Sequence, residues 1–345
     1  MNKILYFSRF LMFLLLVILL NNCNKESEKT DFKIKSECIV FQSINTLQSD
    51  SDIQVEITNY SFDVNENLAK ITLAIDRTDK IGKKSGSLQT QTFNYSSSGF
   101  LMEKIIAIVY SEADGTTRKR TENQTFTYKN DLLSTSETKV FNVDGKETKS
   151  SESYSYDANG KVSSKIQVRD DGSMLTHTYS NDGTLMSVVL KSGSKETRFQ
   201  ITDGLITDNG DSKFIYNNKK QMIKSETYAN GKLNSYATYD WSDALPATRN
   251  LPKFKGFPYE CSSGTGVGIN EKMEISSPLN KFQFFADVYS NGKIQQLNES
   301  VYTVQKNAKG YVSKIDLINK QFQANPNDPA NTLKSTQTFT YTDCN

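Results

Sequence analysis

Nine of the 18 glycines in this chain directly follow Asn or Asp, at positions 115, 145, 160, 172, 183, 204, 210, 231 and 292. Random placement would not put half of the glycines there. Asn-Gly and Asp-Gly are the strongest short-range hairpin signals, because a type I′ turn needs positive φ at both central residues. The spacing therefore predicts type I′ hairpin tips at most of these positions. Between about 95 and 240 the turn signals recur every 10 to 18 residues. That is the pitch of strands of roughly six to ten residues joined by short loops.

The flanks of the turns repeat as well. Six positions after Tyr95, Tyr156, Tyr179 and Tyr216 stand Leu101, Val162, Leu185 and Met222. Gly99, Gly160 and Gly183 fall four positions after the first three tyrosines, and Lys220 takes that place in the fourth. Tyr128 opens a variant one residue shorter, YKNDLL. Each tyrosine is expected at a strand end, its ring covering neighbouring strands and its hydroxyl solvated. The residue six positions on then begins the returning strand and packs near it. On this view the repeat, Gly160 and Gly183 included, is structural.

Within strands the pattern alternates, as in TQTFTYT, where Phe339 and Tyr341 share one face and Thr338 and Thr340 the other. Opposite faces carry Lys, Glu, Arg, Ser and Thr, as in TRKRTENQTFTYK from Thr117. Charges facing lipid at a bilayer midplane cost about 2–4 kcal/mol each, so these strands do not read as membrane-spanning. There are 17 tyrosines and 19 phenylalanines against six prolines, and no helical pattern outside the N-terminal run. The expected fold class is all-β: a large, soluble, antiparallel up-and-down meander of successive hairpins, forming a curved sheet or an open barrel-like one.

The turns, carried by Tyr156-Asp157 with Gly160 and by the closing FTYTDCN from Phe339, resemble those of the YD-repeat (Rhs-type) family. The whole chain resembles YD-repeat-like lipoproteins of the Bacteroidota. The resemblance spans residues 90–240 and the last strands. It implies an extended antiparallel meander and no established activity.

The first 22 residues read as a secretory signal: Lys3 and Arg9, then an unbroken apolar run from Phe10 to Leu20. That run is too short for a spanning helix, which needs about 20 apolar residues. Leu20-Asn21-Asn22-Cys23 resembles the lipobox of bacterial lipoproteins, which implies removal of residues 1–22 and acylation of Cys23. The polar stretch 23–31 is a tether, and its Lys and acidic residues resemble the surface-export signal of Bacteroidota lipoproteins. The expected location is the outer membrane, reached through the N-terminal lipid and facing the cell surface. Residues 32–345 form the β-meander domain. Without residues 1–22 the chain carries 39 basic and 39 acidic residues, interspersed, which gives no field to gather nucleic acid.

The pattern breaks over about 241–270, where Pro246, Pro252 and Pro258 cluster without alternation. Any function is expected to concentrate in this long irregular connection, and a division into two domains near 245–260 is the alternative to one continuous domain. Trp241, the only tryptophan, stands at its mouth as the candidate ligand contact, with burial at the sheet end as the competing role. Cys38, Cys261 and Cys344 remain after acylation of Cys23. A Cys261–Cys344 disulfide is expected ahead of Cys38–Cys344, with Cys38 as a small buried hydrophobe.

Catalytic constellations are sparse. His177 is the only histidine and lies mid-strand with no nucleophile motif beside it, which leaves neither a Ser-His-Asp triad nor a multi-His zinc site. Gly264, Gly266 and Gly268 lack the βαβ context of a phosphate loop. Asp208 to Asp211 and Asp170 to Gly172 lack EF-hand spacing and read as turns. No cofactor and no metal is expected. The expected function is a lipid-anchored, non-enzymatic binding or scaffolding module for a glycan or protein. The alternative is a hydrolase of glycan or peptide, whose two carboxylates would be paired in space and invisible in sequence.

Overall fold

The computed structural model describes residues 38–345 apart from 50, 161, 182–184, 193–194, 203–204, 220, 248–250, 252–253, 258–277, 289–291, 324–328, 343 and 345; the side chains of 179–206 are also outside the description. Among the described residues there are 20 strands and no helix. The first five are β1 (Ile39–Gln48), β2 (Asp52–Phe62), β3 (Leu68–Asp79), β4 (Lys84–Tyr95) and β5 (Leu101–Ser111). There follow β6 (Thr117–Lys129), β7 (Leu132–Phe141), β8 (Glu147–Tyr156), β9 (Val162–Arg169) and β10 (Met174–Asn181). The third group is β11 (Leu185–Ser192), β12 (Lys195–Thr202), β13 (Leu205–Asp208), β14 (Ser212–Tyr216) and β15 (Met222–Ala229). The last are β16 (Lys232–Trp241), β17 (Leu279–Ala286), β18 (Gln295–Lys306), β19 (Val312–Gln321) and β20 (Asn331–Thr342).

Each strand pairs antiparallel with the next, which makes an up-and-down meander. β20 also pairs with β1, from Ile39↔Thr342 to Gln48↔Lys334, so the two ends of the meander are hydrogen-bonded to each other. This pairing hides the backbone edges that an open sheet would leave at its first and last strands. The thinnest joint is β13–β14, where one residue pair, Asp208↔Lys213, links the strands. The strands on either side of the irregular connection, β16 and β17, are neighbours in the same sheet.

Turn chemistry differs from expectation at most tips. Among the described Asn-Gly and Asp-Gly pairs, only Asn230-Gly231 has positive φ at both residues, as type I′ requires. Asn130-Asp131 is a second tip of that kind, without glycine. At the other described Asn-Gly and Asp-Gly pairs the tips are longer, and the glycine alone takes positive φ. At Glu112 to Thr116 the Gly115 N–H donates to the Glu112 carbonyl at 3.0 Å and the Asp114 carboxylate accepts from the Thr116 N–H at 2.9 Å. The Asp before the glycine thus holds the loop by its side chain rather than by adopting positive φ.

Cross-strand partners point to the same side of a sheet, so the register sorts strand residues into two faces. Ile71, Phe93, Phe126, Tyr154, Tyr239 and Phe282, all buried, share one face, the core face. Ile53, Leu88, Phe141, Met174, Val301 and Ile318 are exposed on the other. The outer face also carries Glu137, Lys139, Glu147 and Lys149.

The core is concentrated at one rim, where the odd strands begin and the even strands end. The irregular connection after β16 runs across this rim. Ala244, Ala247 and Leu251 pack with Val40 and Val312, and Leu245 makes a parallel bridge to Tyr311. Phe254 and Phe257 then reach the cluster of Leu68, Phe93, Leu101, Phe126 and Leu133. The described part of the connection, expected to concentrate function, therefore fills the core.

The disulfide expectation is corrected by the same closure. Cys38 precedes β1 and Cys344 follows β20, and the pairing of those strands brings their Cα atoms to 4.4 Å, where they are bridged. Cys344 is thereby unavailable to Cys261, which lies outside the described residues. Cys38 is buried, but as half of a cystine.

Candidate functional site

The repeat tyrosines build the rim. Tyr95 ends β4 and its hydroxyl donates to the Leu68 carbonyl at the start of β3, 2.9 Å away. Tyr128 of β6 donates to Leu101 of β5 at 2.7 Å, and Tyr156 of β8 to Leu133 of β7 at 2.6 Å. Tyr341 of β20 makes the same bond to Val312 of β19. Each bond clips the open legs of one hairpin. The tyrosine is also the cross-strand partner of the residue that starts the next hairpin, as in Tyr95↔Leu101 and Tyr156↔Val162. The apolar residue of one repeat is thus the carbonyl acceptor for the tyrosine of the next: Tyr95 faces Leu101, and Leu101 accepts from Tyr128. The hydroxyls, expected to be solvated, are used by the backbone, because a carbonyl facing the apolar rim needs a donor.

The residue after the tyrosine serves its own turn. Asp157 accepts the Asn159 N–H at 2.8 Å, and its carbonyl accepts the Gly160 N–H at 3.0 Å. Asn217 and Asn307 do the same after β14 and β18. Gly160 sits at φ 75°, which a β-branched residue resists.

Trp241 stands at this rim too. It ends β16, and its indole N–H donates to the Met222 carbonyl at the start of β15 at 2.7 Å, the clip made elsewhere by tyrosine. Its ring stacks on Tyr239 at 6.5 Å between centroids. The residue singled out as a ligand contact thus holds a repeat position, and its polar atom is engaged by the fold. Tyr216 ends β14 opposite Met222, and burial first, then Tyr239, raises its phenol pKa. Tyr179 lies in β10 opposite Val188, with its side chain outside the description. Cys23, Cys261, Gly183 and the Gly264–Gly268 loop lie outside the described residues.

Replacing Tyr156 by Phe removes one clip and leaves the ring. The Leu133 carbonyl then lacks its side-chain donor, and about 1–2 kcal/mol of stability is lost. Urea denaturation of the wild type and Tyr156→Phe measures this; an unchanged midpoint would show that the clip contributes nothing.

Below the rim, the core face of β7–β10 carries a polar cluster. The Glu152 carboxylate accepts from the Tyr154 hydroxyl at 2.8 Å and the Ser136 hydroxyl at 3.3 Å, and pairs with Lys165 Nζ at 3.1 Å. Lys165 is 1% exposed and lies over the Tyr154 ring, 5.4 Å from its centroid. His177 is its cross-strand partner and is 2% exposed. A buried ammonium is tolerable here because a carboxylate and a ring face both meet it. Sequence reasoning passed over Glu152 and Lys165. The signal for Glu152 lay in its alternation with Tyr154 along β8, which puts it on the aromatic face.

Burial, and secondarily the Lys165 charge, lower the His177 pKa to about 4. Between about pH 6.5 and 4 the unfolded chain takes up a proton that the folded chain refuses. Stability contributed by neutral His177 is therefore complete above the unfolded value and lost as pH falls through this window. The loss is on the order of 3 kcal/mol. Denaturation midpoints from pH 7 to pH 4 should fall more steeply for the wild type than for His177→Gln; parallel profiles would refute the assignment.

Around the rest of the core face, amides recur between the aromatic rim and the far rim. Gln89 and Gln91 of β4 and Gln124 of β6, opposite Lys104, are half-buried there, and Gln167 of β9 is half-buried beside the polar cluster, opposite Glu152. In β18 and β19 the Asn319 amide donates to Ser300 at 2.7 Å and to Asn298 at 3.2 Å. These three are buried, and Asn298 Nδ2 and Asn319 Oδ1 lack hydrogen-bond partners among the described residues. The acidic turns serve the backbone, Asp208 accepting the Gly210 N–H at 2.6 Å and Asp171 the Ser173 N–H at 2.8 Å. Among the described residues no three His, Cys, Asp or Glu side chains are grouped to hold a metal.

No family model and no curated protein matches the sequence. Among solved structures, a porin-like protein from Bacteroides uniformis is similar at 13% identity and a TM-score of 0.36, covering 89% of this chain and 98% of that one. The TcdB2-TccC3 structure is similar at 11% identity and a TM-score of 0.30, covering 84% of this chain and 16% of that one. At such values neither likeness carries a functional argument, which rests instead on the chain's own geometry.

Proposed function

We propose that the protein is a lipid-anchored cell-envelope binding module of the YD-repeat-like type, non-enzymatic, held at the outer membrane by acylated Cys23 and taking a neutral glycan on its core face. The observation that carries this reading is the band of amides on that face. Gln89, Gln91, Gln124 and Gln167 offer both donors and acceptors without net charge, the complement of a polyhydroxyl surface. The stapled rim keeps the sheet rigid beneath them, so little ordering is required on binding. The signal run, the lipobox-like Leu20 to Cys23 and the polar tether support the anchor and the envelope location.

A glycan array followed by calorimetry on the best ligand tests the reading. Binding of a neutral oligosaccharide is expected, weakened at least about tenfold in Gln89→Ala/Gln124→Ala at unchanged melting temperature, each tenfold being about 1.4 kcal/mol. Absence of neutral-glycan binding, or binding indifferent to both amides, would overturn it. Palmitate labelling of the wild type but not of Cys23→Ala tests the anchor separately.

A further inference from the structure

The amides of β4 have a distinctive setting on the core face. Three successive rows cross β3, β4 and β5 in register: Ile71↔Gln91↔Ile106, Leu73↔Gln89↔Ile108 and Ile75↔Ser87↔Tyr110. Each row holds one polar side chain between two apolar or aromatic ones. None of these residues is charged, and all are half-buried except Ile71, which is buried. A stripe of donors and acceptors along β4 is thus flanked by an apolar ridge on either side, the ridges about 9.6 Å apart at a strand spacing of about 4.8 Å. Charges border the rows, and each is engaged by a neighbour. Lys104 lies over the Phe93 ring, 5.7 Å from its centroid. On β6, Arg120 pairs with Glu122 at 3.4 Å and Arg118 with Glu112 at 3.3 Å. Glu56 of β2 accepts from the Asn45 and Gln54 amides, and Arg77, beyond Ile75, donates to Gln54.

We infer that the neutral glycan proposed for the core face carries acetamido groups, one of them seated on Gln89 and Gln91; the inference rests on that glycan reading. An unsubstituted sugar projects hydroxyls all round its ring. Those reaching Ile71, Leu73, Ile106 or Ile108 would lose their water and gain no partner. An acetamido group meets both parts of the striped surface. Its amide is planar and trans, so its N–H and C=O point in opposite directions. Gln89 and Gln91 stand about 6.8 Å apart along one face of β4. One can accept the N–H through its carboxamide oxygen while the other donates to the C=O through its NH₂ group. The acetyl methyl then lies against Leu73 or Ile108, where apolar surface is favoured. A charged substituent would find no counter-ion within the three rows, which agrees with a neutral ligand.

Calorimetry of the full chain with chitotriose and cellotriose tests it. The two trimers share one backbone and differ in bearing an acetamido group or a hydroxyl at C2 of each ring. Chitotriose should bind at least about tenfold more tightly. In Ile106→Thr/Ile108→Thr, which keeps β-branching on β5, that preference should fall below about threefold, through weaker chitotriose binding at an unchanged melting temperature. Should this variant unfold, the comparison of the two trimers on the wild type still decides. Cellotriose bound as tightly as chitotriose, or a best neutral ligand on the glycan array without an acetamido group, would overturn the inference and leave the glycan reading standing. An undiminished preference in the folded double variant would also overturn it. Absence of binding to any neutral glycan would remove both.

Discussion

Replacing Cys38 and Cys344 together by serine is expected to remove about 5 kcal/mol of stability. The bridge joins residues 306 apart, so it closes nearly the whole described chain into one loop. In the chain-entropy account, closing 100 residues stabilises by about 4.7 kcal/mol and the value rises with the logarithm of loop length. The seam it fastens has other support: the β1–β20 ladder runs from Ile39↔Thr342 to Gln48↔Lys334. The ladder should therefore survive in the reduced protein, and the sheet should weaken without losing its topology. In a chain of this size each kcal/mol moves the melting temperature by about 2 °C, so the double variant should melt on the order of 10 °C lower. Reductant should lower the wild-type midpoint by the same amount and leave the double variant unmoved. Cys38→Ser alone should match the double variant; if it melts like the wild type, the bridge lies elsewhere.

The bond that joins the two ends of the meander shows what a sequence of this kind conceals. Turns are local, and the Asn-Gly and Asp-Gly pairs expose them because φ preferences act over two residues. The step of six from Tyr95 to Leu101 or Tyr156 to Val162 is also local, since it spans one turn, and these pairs do face each other across the hairpin. The clip from Tyr95 to Leu68 is not local. Its acceptor stands 27 residues upstream, and its position depends on the register of the whole intervening hairpin, Lys70↔Thr92 to Thr78↔Lys84. The meeting of β1 with β20 depends on every register in the chain, which is why local sequence points Cys344 to Cys261 and not to Cys38. Turn type is hidden for a different reason: Asp114 or Asp144 before glycine can brace a longer loop with its carboxylate, and composition does not separate that from type I′. For the candidate site, alternation divides Glu152 and Lys165 from their neighbours but does not say which face is buried. Both faces of β8 and β9 carry polar residues, and only the aromatic rim decides between them. Trp241 looked functional because it is solitary, yet it occupies the place of a repeat tyrosine, where an indole N–H can replace a phenol O–H as donor.

Replacing Phe257 by alanine is expected to cost about 3–5 kcal/mol, in the range of large-to-small aromatic changes in packed cores. Phe257 packs edge-on against Phe126 at 5.1 Å and reaches Tyr128 at 6.3 Å, while Phe254 stacks on Phe93 at 5.5 Å. No strand of the meander supplies these contacts. Without the connection, the core-face aromatics of β4–β7 would line an unfilled space at the rim. Gly256 shows how closely the segment is seated. Its carbonyl accepts the Leu133 N–H at 2.8 Å, and it lies at φ 77°. A Cβ built there would stand 2.5 Å from the Asp131 carbonyl oxygen and 3.0 Å from the Phe100 ring. Gly256→Ala therefore combines a backbone clash with a disfavoured φ, and it should destabilise even though it adds a single methyl group. The two variants separate packing from mere linkage: if the connection only joined β16 to β17, neither substitution would move the denaturation midpoint. The expected result is a large drop for Phe257→Ala and a comparable one for Gly256→Ala. Tyr95→Phe should become less costly in the Phe257→Ala background, because a rim already opened to water can solvate the Leu68 carbonyl itself.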